Sequence, residues 1–366
     1  MLIGGAGRPF LSVKRQSYPR GTASLVVGHP ADRLCDGRMR WFCAIAVFLG
    51  GLAIVLAVVG ASYQVVTARA DARRFPEPGR RVDIGGYSLK LNCAGAGSPT
   101  VILESGFGDV LPEWESVQQE IAKFSRVCSY DRAGYGGSDA GPMPRTSAQI
   151  ARELHSLLRN AGEKPPFLPV GYSFGGYNVR VFNGFYPDEV EGLVLVDAVQ
   201  EDQYAVLPSV WNRIGEQLRE HCESQARMAP LLVNLGIGRL ILRARGQDQG
   251  SYLILQSKYL RARASEIENM RTSAEQARAA GSLGNKPLIV LTAGKEPPTS
   301  PDLSQQDAQD YQRIWAGDLQ MRLAHLSSRG IREMVEGSDH GDIALDRPDA
   351  IVNAVKEVRA AALSTN

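Results

Sequence analysis

Between Trp41 and Ala61 the chain reads WFCAIAVFLGGLAIVLAVVGA, with no charged side chain. A helix needs about 20 apolar residues to cross the hydrocarbon core of a bilayer, so residues 41–63 are expected to form a transmembrane helix. From about residue 80 the pattern changes. Short apolar runs now alternate with segments of helical period. Arg81–Ile84 and Tyr87–Leu91 flank Gly85-Gly86, the signal of a hairpin. Thr100–Glu104, Arg126–Tyr130, Phe167–Gly171, Gly192–Val196, Leu288–Leu291 and Ile331–Val335 read as further strands, most of them apolar on both faces. Helices are expected over Ser147–Asn160 and Phe174–Phe185 and, closing the chain, over Ala350–Ala361. Apolar strands alternating with helices predict a largely parallel sheet covered on both faces. Residues 199–284 interrupt that rhythm. They are too long for a simple crossover and read as amphipathic helices over Val210–Ala226, Ala229–Leu235, Tyr252–Leu260 and Ala262–Ala280.

One junction in this pattern carries chemistry. The run Leu168-Pro169-Val170 stops at Gly171, and a helix begins just past Ser173, giving Gly171-Tyr172-Ser173-Phe174-Gly175. A serine on so sharp a strand-to-helix turn adopts a cramped backbone, which flanking glycines make sterically open. The Phe174 N–H then starts a helix, where unpaired donors can hold a developing oxyanion. Pro169 is out of place inside a central strand, since it lacks a ladder donor; a local bulge is the expectation. A serine hydroxyl needs a base, and imidazole is the side chain poised for that near neutral pH. Of five histidines, His29 lies in the N-terminal tail. His155 lies in an ordinary helix, His221 in the helical insertion and His325 before the last strand, whereas His340 sits in the loop Gly337-Ser338-Asp339-His340 after that strand.

Composition adds limits rather than direction. At 366 residues, 44% hydrophobic and 22% charged, the chain is long enough for one substantial core with appendages. A net charge of +2 gives no electrostatic reason to expect a nucleic-acid partner. Residues 1–40 are basic, rich in Gly and Arg, and without apolar periodicity, which reads as a disordered tail; Met39 is an alternative start. The tail favours an N-terminus kept in the cytoplasm and a main domain outside it, although Arg69, Arg73, Arg74, Arg80 and Arg81 weaken the asymmetry. The alternative is a secreted protein cleaved after a signal segment, for which Ala68-Arg69-Ala70 resembles a cleavage site.

Taken in order, Ser105-Gly106-Phe107, Tyr130-Asp131-Arg132-Ala133-Gly134-Tyr135-Gly136-Gly137-Ser138, the Gly171–Gly175 turn, and the His340 loop followed by Asp346-Arg347-Pro348 resemble the α/β-hydrolase superfamily. The resemblance implies an eight-stranded, mostly parallel sheet with helices on both faces. It makes 80–198 and 285–362 the core, 199–284 a helical cap, and 64–79 a linker. It also implies a nucleophile at Ser173, a base at His340, and an oxyanion hole built from the backbone N–H groups of Phe107 and Phe174. The acid is less determined. Asp197, at the carboxyl end of Leu193-Val194-Leu195-Val196, is preferred, because a charge there needs a partner. Asp302 and Glu296, beyond the seventh strand, are the alternatives. Asp131 and Arg132 are expected to buttress loops, and Trp114 either to line the pocket or to pack a helix.

In the implied fold the strands carrying Cys93 and Cys128 are neighbours, so outside the cytoplasm these two form a candidate disulfide. Two buried thiols are the other reading. No histidine–cysteine spacing points to a metal, and the implied chemistry uses no cofactor. The expectation is thus a single-pass, membrane-anchored serine hydrolase. It would act on a small-molecule or lipid carboxylic ester through an acyl-enzyme. Thioesterase, amidase or acyltransferase chemistry with the same residues, and a catalytically silent binding domain, are the alternatives.

Overall fold

The computed structural model describes residues 37–364 apart from 75, 77, 247–250, 298, 300–302 and 342. The basic tail and Asp302 therefore lie, wholly or nearly so, outside the described residues. Helix α1 (Gly37–Arg74) supplies the described part of a first unit that ends at Leu56; a second unit runs from Ala57 onward. From Met39 to Arg74, α1 is long and apolar enough to cross a membrane. Trp41, Phe42, Val47 and Ile54 on it are exposed to the surroundings. The stretch from residue 64, read as a linker, instead continues this helix to Arg74. Its sequence QVVTARADARR is rich in Ala, Arg and Gln, all good helix formers.

Strands β1 (Arg80–Asp83), β2 (Ser88–Ala94) and β3 (Thr100–Glu104) come next, then helix α2 (Glu115–Ile121), β4 (Val127–Tyr130) and α3 (Ser147–Ala161). Strand β5 (Phe167–Tyr172) leads into α4 (Gly175–Phe185), followed by β6 (Leu193–Val196). The insertion comprises α5 (Gln203–Val206), α6 (Ser209–Leu232), α7 (Ile237–Ala244), α8 (Ser251–Ile254), α9 (Ser257–Glu268) and α10 (Met270–Ala279). Strand β7 (Leu288–Ala293), α11 (Gln305–Ile314), a π-helical turn over Trp315–Leu319, α12 (Gln320–Ala324), β8 (Gly330–Val335), α13 (Ile343–Asp346) and α14 (Pro348–Leu363) complete the chain. The sheet order is β1-β2-β4-β3-β5-β6-β7-β8. Strands β1, β2 and β4 pair antiparallel, and the remainder of the sheet is parallel. This is the α/β-hydrolase fold.

The central strands are apolar throughout because both faces are covered. Side chains alternate across a strand. Ile102, Leu193 and Leu195 accordingly join the cluster under α3 and α4, with Leu154, Leu157, Val179 and Phe182. Val101, Leu103, Val194 and Val196 join the cluster under α2 and α14, with Val117, Ile121, Ile351 and Val355. Helix α3 forms where expected because both ends are fixed locally. The Thr146 hydroxyl accepts the Gln149 N–H, and Gly162 takes the left-handed conformation that ends the helix.

Two local expectations are corrected. Pro169 sits in an unbulged register, opposite Ile102 of β3. On its other side β5 meets Val190 at Phe167, and the β6 ladder resumes only at Val170. The proline thus falls where the ladder is interrupted and no donor is required. Within the insertion, α6 continues to Leu232 rather than breaking near Ala226, with Pro230 inside its last turn. A further helix, α7, lies where none was expected.

Cys93 and Cys128 face each other across the β2–β4 ladder and are joined by a disulfide. It ties the antiparallel edge of the sheet to its parallel centre.

Candidate functional site

Ser173 and Asp197 are the two non-glycine residues with positive φ among the described residues, at 49° and 41°. Each sits just past the carboxyl end of a central strand, where the chain must turn away from the sheet at once. Ser173 N–H bonds to the carbonyl of Val196, and Asp197 N–H to that of Leu291, so the neighbouring strand holds each turn in place. Such a conformation costs about 1–3 kcal/mol and persists only where the surroundings impose it. Glycines make the first turn feasible. A Cβ on Gly171 would stand 2.8 Å from the Gly175 carbonyl oxygen, and one on Gly175 would stand 2.8 Å from that of Ser105.

The turn delivers the Ser173 hydroxyl 3.0 Å from His340 Nε2, and His340 Nδ1 lies 2.6 Å from Asp197 Oδ2. The second carboxylate oxygen of Asp197 accepts the Ala293 N–H and the Trp315 indole N–H, each at 3.0 Å. The loop bearing His340 is fastened by the Tyr172 hydroxyl, which donates to the His340 carbonyl at 2.5 Å. Burial opposes a charge on the imidazole. The hydrogen bond and negative charge of Asp197 outweigh it, with smaller help from Asp109 and Asp339, and hold His340 above the usual histidine range. Of the other candidate acids, Glu296 accepts from the Gln305 side chain at 2.8 Å, and Asp302 lies outside the described residues.

The loop after β3 packs against this turn. Among the described residues no protein acceptor takes the backbone N–H of Phe107 or of Phe174. Arg132 fixes the loop from behind. Its five N–H donors meet the Ser105 carbonyl (2.8 Å), the Gly106 carbonyl (2.7 Å), Glu104 (3.2 Å) and both oxygens of Glu266 (2.9 and 3.1 Å). Glu104 also accepts from Asn178 at 2.8 Å and from the Tyr130 hydroxyl, and Glu266 from the Tyr135 hydroxyl at 2.6 Å. All these side chains are buried, and Glu266 belongs to α9. The insertion thus reaches into the loop that carries Phe107. Trp114 packs in the core with its indole N–H on the Ser105 hydroxyl.

Beside the same loop two half-buried carboxylates, Asp109 and Glu113, share an environment. Burial, reinforced by the charge of Asp109, pushes Glu113 up to about 8, and burial likewise raises Asp109 against the pull of Arg132.

A cavity of about 220 Å³ opens beside His340 and Asp197, walled by Trp211, Tyr311 and Trp315, with Lys295 at its edge. A larger cleft of about 520 Å³, bounded by Pro165, Asp188 and Lys286, lies at the amino ends of the strands. Ligands of open α/β sheets bind at the carboxyl ends, where the smaller cavity is. Sequence reasoning missed Trp315, Tyr311, Glu266 and the Asp109–Glu113 pair. Only the Trp–Tyr composition of 311–315 could have drawn attention to that segment.

A family model for the alpha/beta hydrolase fold matches residues 99–221, from β3 into α6. The chain is similar to a probable transporter, efuK, of Hormonema carpetanum, at 32% identity over 135 residues, which is 35% of this chain and 19% of that protein. It is also similar to an uncharacterized vacuolar membrane protein of Saccharomyces cerevisiae, at 36% over 108 residues, 28% of this chain and 17% of the relative. The chain spans half or less of these curated relatives. Among solved structures, an esterase from Thermogutta terrifontis matches with a TM-score of 0.52 at 19% identity, over 78% of this chain and 99% of that one. At such identity the match speaks to the fold alone.

Proposed function

We propose that this chain is a membrane-anchored serine hydrolase that cleaves a carboxylic ester. The observation that carries the reading is the continuous hydrogen-bonded relay from the Ser173 hydroxyl through His340 to Asp197. Ser173 Oγ attacks the ester carbonyl while His340 Nε2 takes its proton. Asp197 holds the proton-bearing Nδ1 and balances the imidazolium charge. The Phe107 and Phe174 N–H groups take the negative charge that develops on the carbonyl oxygen. His340 then returns the proton to the departing alcohol, leaving an acyl-serine. A water activated by the same imidazole releases the acid. The small aromatic cavity suits a compact apolar group on one side of the ester.

The span Trp41–Ala61 is the anchor in this reading. The Cys93–Cys128 disulfide favours an oxidising compartment for the main domain, hence a cytoplasmic N-terminus. A fluorophosphonate probe tests the chemistry: it labels the wild type covalently and leaves Ser173→Ala unlabelled. Equal labelling of both, or of neither, removes the proposal. Product analysis with acceptor alcohols or amines present separates hydrolysis from acyl transfer.

A further inference from the structure

The cap carries an apolar face that no part of the described chain covers. On α7, Ile237, Leu240 and Ile241 fall at i, i+3 and i+4 and share one side of the helix. Leu240 is 54% exposed, and Leu231 near the end of α6 is 49% exposed. Two residues from Ile237 and from Ile241, and so on the opposite side of α7, Arg239 is buried. It pairs with Asp71 and reaches Gln64 of α1 at 3.3 Å. The corner joining α6 to α7 presses on the same helix. There is no room for a side chain on Gly60, whose Cα faces the Leu235 carbonyl, and a Cβ on Gly236 would meet Tyr63 at 3.1 Å.

The place of this contact identifies the occupant. The unbroken apolar run of α1 ends at Ala61, with Ser62, Tyr63 and Gln64 directly after it, so residues 60–64 fall where hydrocarbon gives way to headgroups, a layer of roughly 5–8 Å per leaflet. A helix corner packed there, with its apolar side turned away from α1, meets lipid laterally. We infer that the α6–α7 corner is an interfacial membrane contact, with Leu231, Ile237, Leu240 and Ile241 seated among the headgroups and upper acyl chains. Arg243, in the last turn of α7, suits the phosphate side of such a layer. The inference rests on reading Trp41–Ala61 as a membrane span. It adds that the cap touches the bilayer as well.

The test uses the full chain in phosphatidylcholine nanodiscs, with and without 6,7-dibromo-phosphatidylcholine, reading tryptophan emission. Leu240→Trp places an indole at an exposed position where the fold is not at stake; Glu216→Trp, toward the other end of α6, is the control. The parent protein and its Trp41→Phe variant isolate the signal of the span. The expected result is that bromolipid removes roughly half of the emission added by Leu240→Trp, and leaves that added by Glu216→Trp intact. If Trp41 is quenched and the Leu240→Trp indole is not, the cap contact is wrong while the anchor stands. Blue-shifted but unquenched emission from that indole, the mark of a covering protein surface such as a second copy, also overturns it. If neither Trp41 nor the new indole is quenched, the membrane reading itself fails and the inference goes with it.

Discussion

Replacing Asp197 by Asn exchanges one oxygen for an amino group, and the structure dictates which. Oδ1 accepts two donors, the Ala293 N–H and the Trp315 indole N–H. Setting an NH₂ there would leave both buried donors unpaired, at a cost of about 1–3 kcal/mol each. The amide of Asp197→Asn therefore keeps its carbonyl on that side and presents NH₂ to His340. The imidazole must then accept at Nδ1 and carry its proton on Nε2, pointing at Ser173. In that tautomer it cannot take the serine proton. The expected loss in kcat is about 10⁴, equivalent to roughly 5.5 kcal/mol of barrier, with thermal stability little changed. Hydrolysis of p-nitrophenyl butyrate measures it, and the rate of fluorophosphonate labelling should fall in parallel. A variant that keeps activity within about tenfold of the wild type would refute the role given to Asp197 and the tautomer argument with it.

The pH dependence has a defined sign. The imidazole must be neutral to act as base, and Asp197 holds it protonated to higher pH against the effect of burial. The rising limb of kcat/KM should therefore have its midpoint above the ordinary histidine value of 6.5; a midpoint below it, in the same p-nitrophenyl assay, contradicts the site geometry. Glu266→Gln leaves a buried Arg132 short of a counter-charge and should lower unfolding free energy by about 3 kcal/mol, read from the denaturant midpoint. Because Arg132 holds the Ser105 and Gly106 carbonyls, kcat should fall more than KM rises in the same variant.

The sheet and the Ser173 and His340 positions were legible because each rests on local rules. Two-faced strands read as continuous apolar runs, and a serine wedged between glycines at a strand end has little alternative geometry. Asp197 was reachable for a related reason: a carboxylate at the end of a buried strand must meet something. The segment from Gln305 to Ala324 was not reachable in this way. Its π-helical turn at Trp315–Leu319 has no sequence period of its own, and the Trp315 indole becomes informative only once β7 brings it to Asp197. Pro230 does not end α6. A proline in the last turn of a helix removes a single bond, and α6 tolerates it. The Arg132–Glu266 pair spans 134 positions in the chain, and no local pattern announces a partnership at that distance.

The left-handed backbone at Ser173 and Asp197 has a practical bearing on anyone wishing to make a hardier version of this molecule. Glycine at either position would relax the main chain, so both would rank high in a search for stabilising changes guided by backbone geometry alone. Accepting them would yield a sturdier but inert scaffold. Gains in robustness have to come from elsewhere, at positions where comfort and chemistry are not in competition.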